Sequence, residues 1–396
     1  MISRKKLAII AITASSLFLS TNPAFAGTTL NGSGATFASP LIDACKSDYA
    51  ADTGNTINYT GGGSGKGRTD FTGGLVDFAG SDAPYSSGAP SNLIYAPIYA
   101  APLALMYNLP TVKEPIYLTP KTIAKIFSGV ITKWNDPAIV ADNERVVKTP
   151  IYKTKKIKVK VKGKKNKFTT KTVPALDSKG QAIVASYDTK TISVDLPSEI
   201  ITVWYRSDPS GSTENFGRFL KGANAGANSS VWPKAQNQSF NAMLPSNGGV
   251  FYYFQAASGS AAVSAGVKNK VGSITYSELS FATANKLPVA YVQNANGEFV
   301  EPAAAGTSIF LGGGTINANG TVDVDFAKKI PGAYPIGTAS YGMAYSSGKD
   351  AAKQAAVASW FTYVLEKCAS KYPEKGFSQI TGPLAAKAKE QIAKIK

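Results

Sequence analysis

One recurring junction limits what this chain can fold into more than anything else in its sequence: a strand-like run that ends in a loop of Gly, Ser or Thr just before a helix-like run. Residues 30–34 close a short extended stretch, residues 40–52 carry a helical pattern, and residues 56–59 and 75–79 read as further strands. Such alternation predicts an α/β sheet with crossover helices, in which ligands bind at the loops that follow the strands. Four segments share the junction's composition: Gly32-Ser33-Gly34-Ala35-Thr36-Phe37, Gly61-Gly62-Gly63-Ser64-Gly65, Gly80-Ser81-Asp82-Ala83-Pro84 and Arg206-Ser207-Asp208-Pro209-Ser210-Gly211-Ser212-Thr213. Singly, each reads as a helix cap or a turn. Together in one α/β chain they describe a place where helix N-termini, with unpaired N–H groups and partial positive charge, could gather round a small anion.

Further along, residues 102–107 predict a strand, 120–128 a short helix and 134–137 a polar turn, with strands at 200–205, 271–276 and 289–293 and a helix at 212–220. Residues 349–371 form a long helical pattern with Val357, Trp360, Phe361, Val364 and Leu365 as a core stripe, and residues 384–395 an amphipathic one. Between these lies a different text. From Arg145 to Lys171 there are twelve Lys or Arg and no Asp or Glu, and around Gly163-Lys164-Lys165-Asn166 two alternating runs predict a hairpin with one basic face. Lysines there discourage edge-to-edge pairing; a patch for a polyanion is the alternative. Aromatic residues to stack bases are nearly absent, so no nucleic acid partner is expected.

The N-terminus sets the compartment. Arg4, Lys5 and Lys6 precede an apolar run at residues 7–19 and a small-x-small sequence, Ala24-Phe25-Ala26, which together predict a signal peptide over residues 1–26. The run is shorter than the roughly 20 residues of a spanning helix. With 396 residues the chain exceeds one ordinary core, so two domains are expected. Cys45 and Cys368 are the only cysteines; in an oxidising compartment they can pair, two unpaired thiols being the alternative. The formal charge is +17, or +14 without the leader's three positive residues, and favours anionic partners without choosing among them.

The sequence contains no histidine. That excludes a Ser-His-Asp triad, a Cys-His pair and a His-ligated metal. No carboxylates cluster at ligand spacing, so no metal and no cofactor are expected, and the chain does not read as an enzyme. Arg206 supplies the planar, permanently charged donor pair suited to an oxyanion, with Asp208 placed to hold it, unless the two form only a loop salt bridge. Asp82 repels an anion unless the anion brings a proton to share, as phosphate does near neutral pH and sulfate does not. Otherwise Asp82 is a turn residue.

These segments, with Val76-Asp77-Phe78-Ala79-Gly80-Ser81-Asp82-Ala83-Pro84, Ile131-Thr132-Lys133-Trp134-Asn135-Asp136-Pro137, Val271-Gly272-Ser273-Ile274-Thr275-Tyr276 and Ala333-Tyr334-Pro335-Ile336, resemble the periplasmic phosphate-binding proteins of the bacterial high-affinity phosphate ABC transporter. The resemblance implies an α/β, two-lobed periplasmic binding protein (type 2) fold with a ligand cleft between the lobes and crossing hinge strands. Lobe I would comprise residues 27–104 plus 335–396 and lobe II residues 105–334, with crossings near 103–108 and 335–343 and the basic insertion at about 145–195. That places Cys45 and Cys368 in one lobe. It implies inorganic phosphate, as hydrogen phosphate, contacting Thr36, the backbone of Phe37, Ser64, Asp82, Arg206, Asp208, Ser210, Gly211 and Ser212, in a monomer that delivers it to a membrane permease. Ser212 departs from the family's usual threonine but keeps the hydroxyl, and the basic insertion is absent from shorter members. Three other readings stay open on the residues alone: a metal-assisted hydrolase, a surface protein acting through the hairpin, and the same fold with sulfate, molybdate or a phosphonate as ligand.

Overall fold

The computed structural model describes residues 27–160, 166–226, 230–245, 253–348, 350–372 and 375–396. The leader expected at residues 1–26 and most of the hairpin turn at 163–166 lie outside them.

The repeated junction builds what it implies. Strands Thr29–Gly34, Thr56–Gly61 and Phe78–Ser81 run parallel, with Thr29–Gly34 between the other two. Helices Ser39–Thr53 and Ser64–Thr72 are the crossovers. Leu75 is exposed, and the third strand starts three residues later than expected, at Phe78, where the side chains become buried. In a second set of parallel pairs, Thr202–Arg206 lies beside Phe254–Ala257 and Ser273–Glu278.

One strand joins the two sets. Residues 102–107 were expected as a strand; the observed one, Leu93–Tyr107, is 15 residues long and buried along nearly its whole length. It pairs antiparallel with Gly337–Tyr345 from Leu93 to Pro102, then with Ser273–Glu278 from Leu103 to Tyr107. The exchange of partners falls where Leu103 donates its N–H to Ile336 O at 3.0 Å. Pro97, which has no N–H for a ladder, stands opposite Tyr341 at a register shift that leaves Tyr99 opposite Ser340, the kind of bulge that admits proline in a central strand. The resulting eight-stranded sheet has the order Phe254–Ala257, Thr202–Arg206, Ser273–Glu278, Leu93–Tyr107, Gly337–Tyr345, Phe78–Ser81, Thr29–Gly34, Thr56–Gly61. This is an α/β periplasmic binding protein (type 2) fold.

Near the C-terminus, Ala351–Tyr363 continues through a π turn at Val364–Cys368 into Ala369–Lys371, where a single helix was expected. The wider turn rotates the face that follows. Cys368 is bonded to Cys45 with the Cα atoms 5.8 Å apart, which decides the pairing question and ties together residues 323 apart in sequence. The basic insertion forms two successive antiparallel ladders, Arg145–Tyr152 with Val184–Ile192 and Thr154–Lys160 with Phe168–Pro174.

Candidate functional site

Three of the helices that follow sheet strands begin close together. Ser64–Thr72 follows Thr56–Gly61, Gly211–Gly222 follows Thr202–Arg206, and Gly259–Asn269 follows Phe254–Ala257. Ser210 caps the second by accepting the Thr213 N–H at 3.2 Å, while the first and third have no side-chain cap. Two glycines allow the approach. A Cβ on Gly211 would stand 2.5 Å from Ser64 Oγ and 3.0 Å from Asp82 Cβ. At Gly63, φ is +87°, and a Cβ would stand 2.5 Å from Asp208 Oδ2 and 3.3 Å from the Arg206 guanidinium. The second helix is held from behind by packing: Phe216 stacks on Tyr276 at 4.4 Å, and Thr213 and Tyr276 share a hydrogen bond of 2.7 Å between hydroxyls.

Asp82 occupies the middle of this cluster with 3% of its surface exposed. Ser340 donates to Oδ1 at 3.0 Å and Ser212 to Oδ2 at 3.2 Å, while its own N–H donates to Ser64 Oγ at 3.2 Å. Ser340 reaches it from Gly337–Tyr345, where it pairs with Tyr99 beside the register shift. Burial pushes the carboxyl up to about 6, against the opposing pull of the two serine hydroxyls and of Arg206 and Arg68.

Arg206 is equally buried, at 3% exposed. Its Nε donates to Asp208 Oδ1 at 2.7 Å, a terminal nitrogen pairs with Asp208 Oδ2, and the other donates to Ser260 Oγ at 3.2 Å. Asp208 also accepts the Gly259 N–H at 2.9 Å. Burial works to raise the Asp208 carboxyl, but the Arg206 bond and charge and the Gly259 N–H outweigh it, and the group sits below its ordinary value. Asp208 therefore fixes the Arg206 guanidinium along one edge of its donor fork. Thr36 closes the ring, 3.1 Å from Ser260 Oγ and accepting the Ser260 N–H at 3.2 Å.

Of the residues singled out from sequence, Thr36, Ser64, Asp82, Arg206, Asp208, Gly211 and Ser212 share one connected cluster, with Ser210 as its helix cap. Phe37 follows Thr36 with its ring buried against Tyr99 at 6.1 Å, so its side chain belongs to the core. Three members went unrecognised. Ser260 lies in Ser258-Gly259-Ser260, a strand-to-helix junction of the same composition as the four identified, and that signal could have found it. Ser340 is a lone serine inside a strand, with no such mark. Arg68, on the Ser64 helix, donates to the carbonyls of Ala83 and Pro84 and stands 3.8 Å from Glu214, bracing the Asp82 loop against the Gly211 helix.

Among the described residues no group of three His, Cys, Asp or Glu could hold a metal. What the cluster offers instead is a guanidinium, several hydroxyls, helix N-termini and one buried carboxylate that accepts a single hydroxyl on each oxygen. Those parts suit a compact oxyanion that still carries a proton.

Comparison with known proteins points the same way. Residues 20–367 match the family model described as the PBP superfamily domain. The chain is 33% identical over 344 residues to phosphate-binding protein PstS 3 of Mycobacterium tuberculosis, covering 83% of this chain and 75% of that one. It is 30% identical over 348 residues to phosphate-binding protein PstS of Xylella fastidiosa, covering 85% and 77%. Among solved structures, a high-affinity periplasmic phosphate-binding protein (PfluDING) bound with phosphate superposes with a TM-score of 0.60 at 21% identity, over 92% of this chain and 93% of that one. The ancestral soluble variant of the human phosphate-binding protein gives 0.62 at 21% identity, over 91% and 92%.

Proposed function

The chain belongs to the PBP superfamily, among the PstS phosphate-binding proteins, and on that footing we propose that it captures hydrogen phosphate in the Asp82–Arg206 cluster and hands it unchanged to the membrane permease of an ABC importer. It is a solute-binding protein, not an enzyme. The observation that carries the ligand assignment is the burial of one carboxylate, Asp82, beside a fixed cation and three helix starts. A bare anion would be repelled there, whereas an anion with a proton gives Asp82 a further donor. Arg206 then takes two oxygens, and Thr36, Ser64, Ser212 and the leading N–H groups of the helices take the rest, with Phe37, Ser210, Gly211 and Asp208 supplying main chain or support.

The partner exchange along Leu93–Tyr107 supports lobes made of residues 27–104 plus 335–396 and of 105–334. Thr36, Ser64 and Asp82 then come from one lobe and Arg206 to Ser212 from the other, so that closure of the cleft completes the site. Delivery to a permease places the protein in the periplasm, in keeping with the expected leader. Among the described residues no helix is long and apolar enough to cross a membrane.

Calorimetric titration tests the assignment. The full chain takes up phosphate with saturation at one site. Arg206→Ala, which leaves Asp208 buried without its partner, binds more weakly by about 2–5 kcal/mol. Wild-type affinity in that variant would place the site elsewhere.

A further inference from the structure

The basic insertion takes no part in the cluster described above, and the structure shows what kind of surface it is. In its distal ladder, Lys156, Lys158 and Lys160 share one face, because Lys156 is opposite Thr172, Lys158 opposite Thr170 and Lys160 opposite Phe168. Every residue of Thr154–Lys160 is exposed, and no residue of Phe168–Pro174 is buried. Among the described residues no helix or second sheet covers the ladder on either side. An edge strand can be guarded by isolated lysines, whereas Thr154–Lys160 sets them at three successive alternate positions, 156, 158 and 160.

Charge by itself would suit any polyanion. The apolar content narrows the choice. Nine of the fourteen exposed large hydrophobic residues of the described chain lie between Val146 and Tyr187, and in the distal ladder Phe168, 58% exposed, shares the face with the three lysines while Ile157 and Val159 stand on the opposite face. A soluble polyanion has no use for an exposed Phe set among the lysines. The interfacial zone of an anionic bilayer takes both kinds of side chain, lysine ammonium groups at the phosphates and apolar side chains at the acyl boundary.

We propose that the ribbon formed by Thr154–Lys160 and Phe168–Pro174 is a docking surface for a bilayer containing anionic phospholipid. Attached there, the protein exchanges a search through volume for one along the membrane surface. The proposal stands on the ribbon alone and does not depend on what the Asp82 cluster binds.

Co-sedimentation of the full chain with vesicles tests it, using phosphatidylcholine alone and phosphatidylcholine mixed with phosphatidylglycerol. Binding is expected to the mixed vesicles only, and to weaken as salt is raised. Exchanging Lys156, Lys158 and Lys160 for Glu should lower the partition by on the order of a hundredfold or more. Phe168→Ser should weaken it several-fold, with the thermal midpoint of both variants unchanged because, among the described residues, no other element covers this face. Equal binding to neutral vesicles, or no binding to either, overturns the proposal. So does capture by soluble inorganic polyphosphate that survives the Phe168 exchange, which would make the ribbon a polyanion site instead.

Discussion

Asp82 is held where its charge is costly. Its folded carboxyl lies at about 6, raised by burial, while the unfolded chain titrates near its ordinary value of 3.8. A carboxyl raised in this way contributes stability below pH 4, and the contribution is lost as pH rises through 6. In the ligand-free protein Asp82→Asn should therefore be more stable than wild type at pH 8, by roughly 2–3 kcal/mol, with the difference vanishing by pH 4. Glu278, which burial pushes up to about 8, titrates with the same sign but is common to both proteins. Thermal unfolding at the two pH values measures this, and a variant less stable at pH 8 would mean the site's donors satisfy the carboxylate without a ligand. Arg206 and Asp82 were legible in the sequence because they stand in junctions whose composition marks them, whereas Arg68, inside the Ser64 helix, carries no such mark. Nor was Ser340 legible, since its place comes from pairing with a strand more than 230 residues away.

At the scale of elements, the strand-to-helix junctions were readable because local chemistry fixes them: small residues at a strand end, then a helix start. The expected strand, 102–107, is shorter than the observed one, and prolines at 97 and 102 argue locally against a continuous strand. Only the exchange of partner strands and the bulge beside Pro97 make one continuous strand of residues 93–107. The basic insertion was recognisable as a hairpin from its alternation, but not its second ladder, where Val146, Val147, Pro150 and Ile151 show no clean period. That ladder has a consequence for excision. Arg145 pairs with Ile192 at its base, so the two ends lie side by side. Replacing residues 145–192 by a short Gly-Ser link should leave phosphate affinity unchanged by calorimetry, and a large loss would show that the insertion supports the cleft.

For the whole molecule, the Cys45–Cys368 bond closes nearly the entire described chain into one loop. Sequence could offer pairing only as one of two outcomes, since nothing local reports that the ends of the chain meet. Cross-linking over so long a loop restricts the unfolded state strongly, and Cys45→Ser with Cys368→Ser should cost about 2–5 kcal/mol in denaturant unfolding. Phosphate affinity should survive, because both cysteines lie outside the cluster. The convergence of Asp82 and Arg206, more than 120 residues apart, was likewise an expectation that rested on family resemblance and not on spacing.

The most direct test of the central claim is a pair of calorimetric titrations of the wild-type protein above pH 8, one with phosphate and one with sulfate. If Asp82 must receive a proton from the ligand, phosphate binds and sulfate is weaker by on the order of ten-thousandfold, the discrimination reached when a buried acceptor is left without its donor. Comparable affinities for the two anions would contradict the account, because a site indifferent to the proton would have no need of a buried carboxylate.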